Sequence, residues 1–92
     1  MKVYEIEFSP GAKKELGKLD RSVQERIAEK IKALAGNPRP TGSEALQGYP
    51  RLFRIRAGEY RVIYTVDEGR IVVVVVRVAD RKEVYKKLDR LR

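Results

Sequence analysis

The run IVVVVVRV at residues 71–78 limits the possible folds more than any other stretch of the chain. β-Branched residues lose side-chain freedom in a helix and suit a pleated strand. Because the run is apolar on both faces, it predicts an interior strand. Residues 52–57 and 60–66 alternate as two further strands, and Asp67-Glu68-Gly69-Arg70 turns the second of them into the valine run.

The first pair is joined at Gly58-Glu59. With those two residues as the loop, Ala57 lies opposite Tyr60 and Arg56 directly opposite Arg61. Side chains alternate along a strand. Arg54, Arg56 and Arg61 therefore share one face, with Val72, Val74 and Val76 further across. The other face carries Phe53, Ile55, Tyr60, Val62, Tyr64, Ile71, Val73 and Val75 as the candidate core. Like charges directly opposite one another are destabilising, on the scale of the ~0.2–1 kcal/mol that favourable cross-strand pairs contribute. Three guanidiniums on one face thus ask for a functional explanation.

KVYEIEF (2–8) alternates as a first strand. Ser9-Pro10 opens a helix, with Ser as N-cap, Pro at the first helical position, and Ala12, Leu16 and Leu19 as its apolar stripe. A second helix begins near Asp20 to Ser22, where Ser22 and Glu25 have capping-box spacing. Val23, Ile27, Ile31 and Leu34 face the core, and Gly36-Asn37-Pro38 stops the helix. Residues 38–48 read as a loop with a short turn around Glu44 to Leu46. DRKEVYKKLDRLR closes the chain as a helix capped by Asp80, with Val84, Leu88 and Leu91 as its stripe. The prediction is a single α+β domain over residues 1–92, ordered β-α-α-β-β-β-α. It is a four-stranded, mostly antiparallel sheet with an N-terminal helical hairpin on one face and a C-terminal helix. The partner of the first strand is not set by the sequence.

Among the 92 residues there is no cysteine, hence no disulfide or thiolate chemistry, and no histidine, the usual neutral-pH acid–base and the commonest metal ligand. The expectation is no metal and no cofactor. A net charge of +8 biases the chain toward polyanions such as nucleic acid, the ribosome or an acidic protein. MKVYEIEF lacks the apolar region of a signal peptide, and the valine run is too short to span a bilayer, so a soluble cytoplasmic protein with no membrane partner is expected.

The C-terminal helix needs a home for its apolar stripe, and the arginine-bearing face offers one. There it would bring Arg81 and Tyr85, which stand at i and i+4. The result is a shallow basic cleft of four guanidiniums and one phenol. Arginine's planar fork suits phosphate, and an adjacent aromatic ring can stack an unpaired base. Glu59, the one carboxylate near the arginines, reads as an exposed turn residue. The lysines of the helical hairpin are interspersed with glutamates and read as a mixed solvated surface.

Over its whole length the chain resembles the RelE/ParE superfamily of toxins. The resemblance rests on FSPGAKKELGKL, the Pro-containing loop, the LQG before the second strand, YRVIY followed by a valine-rich strand, and the EVY ending. In the RelE-like branch it implies a metal-independent, ribosome-dependent endoribonuclease that cleaves mRNA in the A site. Arg54, Arg56 and Arg61 match the family's active-site strand positions, and Arg81 and Tyr85 its C-terminal pair. The best-studied RelE toxins carry lysines where Arg54 and Arg56 stand, and many relatives have His where this chain has Asp80. Arginine keeps its proton, so neither strand residue suits a general base. The resemblance also implies a cognate antitoxin, expected to be acidic, partly flexible and helix-bearing, with the ribosome and mRNA as further partners. The alternatives are a ParE-like inhibitor of DNA gyrase acting by binding, a non-catalytic RNA-binding module, and a toxin that has lost its activity.

Overall fold

In a computed structural model, which describes residues 3–86 and Leu88, the chain forms strand β1 (Glu5–Phe8), helices α1 (Pro10–Gly17) and α2 (Arg21–Ala33), and strands β2 (Glu44–Leu46), β3 (Tyr49–Ala57), β4 (Tyr60–Asp67) and β5 (Val72–Asp80). The strands make one sheet in the order β1-β5-β4-β3-β2. The sheet is five-stranded and mixed, not four-stranded. The first strand pairs parallel with β5, Glu5 opposite Val72 and Phe8 opposite Val75. The valine strand is therefore interior, between β1 and β4. The first strand is shorter than the expected 2–8; Lys2 lies outside the described residues, and Phe8 is exposed.

Ser9 caps α1: its hydroxyl accepts the Ala12 N–H at 3.1 Å and donates to the Val76 carbonyl at 3.3 Å. The cap position of α2 is Asp20, without a side-chain bond, so Ser22 lies inside the helix and the expected capping box does not form. Ala12, Ile27, Ile31 and Leu34 from the helices meet Ile55, Val62, Tyr64, Val73, Val75 and Val78 in the main core, with Phe53, Tyr60 and Ile71 partly buried around it. The Tyr64 hydroxyl donates to the Pro38 carbonyl (2.7 Å), and Tyr4 donates to Glu68 (2.6 Å), which also pairs with Arg39 (2.9 Å). These bonds tie the segment after α2 to the sheet. Burial raises the pKa of Tyr64, and the bond to Glu68 raises that of Tyr4, above the ordinary ~10. The unfolded chain loses these protons first. Stability from this source is complete below pH ~10 and is lost as pH climbs through the folded-state values. Circular dichroism is expected to show alkaline unfolding setting in above pH ~10, with a shallower pH slope in Tyr64→Phe.

Residues 44–46 are a strand, not a turn. They pair antiparallel with β3, Glu44 opposite Arg54, and Glu44 is fixed there by an ion pair to Arg54 at 2.6 Å. A second irregularity is a bulge in β5: Ile63 faces Arg77 but Tyr64 faces Val75, leaving Val76 as the extra residue. β1 ends at Phe8, so the outer edge of β5 has no strand beyond Val75. Glu15 of α1 takes its place, its Oε1 accepting the Val78 N–H at 2.9 Å and its Oε2 lying 3.7 Å from Arg77 Nε. Arg77 Nη1 donates onward to the Lys86 carbonyl at 2.7 Å. Glu15→Ala leaves the Val78 N–H and the Arg77 guanidinium without their carboxylate. It is expected to cost about 2 kcal/mol, a fall of roughly 10 °C in Tm, measurable by calorimetry.

The helix expected over 80–92 is corrected to a series of turns over 81–86; residues 87 and 89–92 lie outside the described residues. Asp80 is a cap as expected, its Oδ1 accepting from the Lys82 and Glu83 N–H groups at 2.9 and 2.8 Å. The Lys86 carbonyl, however, is engaged by Arg77, and a short helical segment has a costly nucleus. The segment is held instead by burial. Val84 joins Leu52 and Ile63 in a second apolar cluster on the sheet face away from the helices, and Leu88 is buried as well.

Candidate functional site

The β3–β4 hairpin has the register that its local sequence dictates: Arg56 faces Arg61 and Ala57 faces Tyr60. Gly58 at the tip has φ +63°, a conformation glycine adopts freely. Arg54, Arg56 and Arg61 thus stand on the face away from α1 and α2. Alternation continues that face into Leu52 and Ile63, which receive Val84 of the C-terminal segment. Val84 in turn fixes its neighbour Tyr85 beside Arg54.

Arg54 is the most constrained of the five. Its side chain is only 16% exposed; one terminal nitrogen pairs with Glu44, and Nη1 donates to the Tyr85 hydroxyl at 2.5 Å. Its guanidinium carbon lies 5.9 Å from the centre of the Tyr85 ring. The Tyr85 contact, followed by the charge of Glu44, raises the Arg54 pKa further, against an opposing effect of burial. Arg54 is accordingly a permanent cation that holds and polarises the phenol, not a base. Its Nε is buried without a partner among the described residues.

Arg61 folds back on its own hairpin, Nη1 donating to the Gly58 and Tyr60 carbonyls at 2.9 Å each. Those carbonyl dipoles offset part of its repulsion with Arg56. Arg81 reaches the same tip, with Nε 3.2 Å from Glu59 and its backbone N–H donating to the Glu59 carbonyl at 2.9 Å. Glu59 is exposed, as the sequence suggests, but it is also the residue that ties the C-terminal segment to the hairpin. Arg56 is exposed and makes no ion pair or side-chain hydrogen bond among the described residues.

All five candidate residues therefore gather toward one end of one sheet face. Arg54 touches Tyr85, Arg56 faces Arg61, and Arg81 borders the tip that Arg61 also binds. Three participants were not visible in sequence. Glu44 acts through a three-residue strand, Arg77 through a bulge, and Glu15 through an unpaired edge. The one signal for Glu44 is its acidic side chain just ahead of the basic strand. Chemically, the end of the face presents several fixed cations and an aromatic ring half open to solvent. Phosphate and an unstacked base fit these groups. Among the described residues, no three His, Cys, Asp or Glu side chains gather as a metal site, and no helix is long and apolar enough to cross a membrane.

Residues 6–85 match the family described as the ParE toxin of the type II toxin–antitoxin system parDE. The mRNA interferase toxin RelE of Escherichia coli K12 is 34% identical over 86 residues, covering 89% of this chain and 90% of that protein. A double arginine mutant of E. coli toxin RelE in the free state superposes with a TM-score of 0.80 at 30% identity, covering 98% of this chain and 99% of the other. The intact E. coli RelBE toxin–antitoxin complex gives 0.74 at 32% identity, over 84% and 95%. The hairpin, the closing EVY segment and the length of these matches put the chain in the RelE/ParE superfamily, as a RelE-like toxin of a type II toxin–antitoxin pair.

Proposed function

We propose that the protein is a metal-independent endoribonuclease that cleaves mRNA in the ribosomal A site and so arrests translation. The observation that carries this reading is the convergence of Arg54, Arg56, Arg61, Arg81 and Tyr85 on one end of one sheet face, with an opposed arginine pair retained at a cost to the sheet. The reaction is a transesterification. The 2′-oxygen of the substrate attacks the adjacent phosphorus, the bond to the 5′-oxygen breaks, and a 2′,3′-cyclic phosphate and a 5′-hydroxyl result. One proton leaves the 2′-oxygen and one reaches the 5′-oxygen, so none is consumed. Arg61 and Arg56 stabilise the charge that builds on the phosphorane, the kind of preorganised electrostatics that often contributes most to a rate. Arg81 exchanges Glu59 for the leaving oxygen or its phosphate. Tyr85 stacks on a substrate base. It is also the only one of the five able to relay a proton, being the only one that is not a fixed cation. The ribosome supplies substrate orientation.

The partner in this reading is an acidic antitoxin, partly flexible and helix-bearing, that neutralises the basic face. Supporting it, the same face holds a groove of about 630 Å³ lined by Tyr49, Leu52, Thr65 and Val76 among others, suited to the apolar side of a helix. The structural neighbour RelBE is itself a toxin–antitoxin complex. Action in the cytoplasm follows from the ribosomal target.

The second reading is a ParE-like toxin that binds DNA gyrase, favoured by the family match to ParE toxins. Primer extension on mRNA from cells expressing the protein decides between them. Discrete in-frame cleavage within translated regions supports the endoribonuclease. DNA damage with intact mRNA supports gyrase poisoning.

A further inference from the structure

β2 accompanies β3 only as far as Arg54, opposite Glu44, so Ile55 to Ala57 have no strand on that side. A cleft of about 250 Å³ opens along this bare edge, lined by Lys30 and Ala33 of α2, Pro40, Thr41 and Gly42 of the following loop, and Ile55 and Arg56. Lys30 stands one turn after Arg26, on the same side of α2. Arg26 reaches the hairpin tip, its Nη1 coming within 3.4 Å of where a Cβ on Gly58 would lie. Arg26, Lys30 and Arg56 are exposed, and none has an ion pair or side-chain hydrogen bond among the described residues. The contrast with the neighbouring face is direct: there Arg54 and Arg81 are each matched by a carboxylate, Glu44 and Glu59.

We propose that this cleft is a second phosphate subsite, in which Lys30 holds the backbone of the RNA chain one or more nucleotides away from the scissile bond. The assignment rests on the RNA-cleaving reading above and extends it to residues outside the reacting centre. Arg56 lines the cleft and also faces Arg61 across the hairpin, so it joins the two sites. A strand bound on the open face that rounds the β3 edge at Arg56 meets Lys30 next, and Arg26 flanks the same edge at the tip. Unmatched cations beside a bare strand edge, with a threonine hydroxyl and a glycine at the rim, favour a phosphodiester backbone over an apolar partner.

The test is equilibrium binding of the full chain to 2′-O-methyl oligoribonucleotides, which bind but are not cleaved, at two lengths and across a salt series. Each phosphate neutralised steepens the dependence of log K on log salt by about 0.7 for a single strand. The parent is expected to show a steeper slope with a hexanucleotide than with a dinucleotide. Lys30→Gln should lower the hexanucleotide slope by about 0.7 and leave the dinucleotide unchanged, and Lys30→Arg should restore it. Lys30 is an exposed helical position, and an unchanged thermal melt confirms that the variant folds. An identical hexanucleotide slope in the parent and Lys30→Gln overturns the subsite. So does a polyglutamate peptide whose binding weakens in Lys30→Gln while the hexanucleotide's does not, which would give the cleft to an acidic protein segment. Cleavage on programmed ribosomes is scored separately. A parent that cuts no mRNA but keeps the Lys30-dependent slope sinks the endoribonuclease and leaves the subsite. A parent that cuts, with a slope indifferent to Lys30, does the reverse.

Discussion

Arg61→Ala is expected to lower cleavage on programmed ribosomes by roughly two to three decades, the range seen when one preorganised donor is removed from a charged transition state, while the protein still folds. The stability side of this expectation comes from two opposing contacts. Truncation loses the bonds to the Gly58 and Tyr60 carbonyls, and it also relieves the opposed Arg56. The net change should stay within about 1 kcal/mol, a Tm shift of a few degrees. Single-turnover cleavage and a thermal melt on the same preparation check both halves. A variant that fails to fold would make Arg61 a structural brace. One that cuts at the parental rate would remove it from the reaction.

The second large effect concerns Tyr85. Tyr85→Ala should reduce cleavage by one to two decades, following the ~1–3 kcal/mol that a stacked aromatic contributes and ~1.4 kcal/mol per tenfold. Tyr85→Phe keeps the ring and loses only the hydroxyl that accepts from Arg54. If stacking dominates, the Phe variant retains most of the activity; if the phenol relays the proton, it falls nearly as far as Ala. Stacking is the expected outcome, because the hydroxyl already accepts from a permanent cation and no free base adjoins it among the described residues. Parental cleavage by Tyr85→Ala would take the residue out of the site and shift weight to the gyrase reading.

The hairpin was legible because its geometry is local. A two-residue loop at Gly58-Glu59 sets the register, and the register sets which arginines meet. The helix faces were legible for the same reason, since spacing alone places Ile27, Ile31 and Leu34 inward. What stayed hidden depends on distant partners. Glu44-Ala45-Leu46 is too short to declare itself a strand, and β3 holds it there through Arg54. The bulge at Val76 was concealed by the valine run itself, in which a slip of one residue exchanges valine for valine. The slip sends Val78 to the helix side and leaves Arg77 opposite Ile63, in reach of Glu15 and Lys86. Periodicity also overstated the C-terminal helix, since a stripe of Val84 and Leu88 is met equally by turns whose side chains are buried.

The parallel pairing of β1 with β5 has a consequence in time. The two segments are far apart in the chain, and the Ser9 contact to Val76 alone spans 67 residues. Closing so long a loop is entropically costly and slow, so local hairpins form before it. During synthesis the residues of the β3–β4 hairpin, with its three arginines, are made before those of β5, and Arg81 and Tyr85 follow later still. A chain made only that far carries three of the four guanidiniums but neither the ring nor the last of them. The cationic face is therefore completed only after the sheet that carries it.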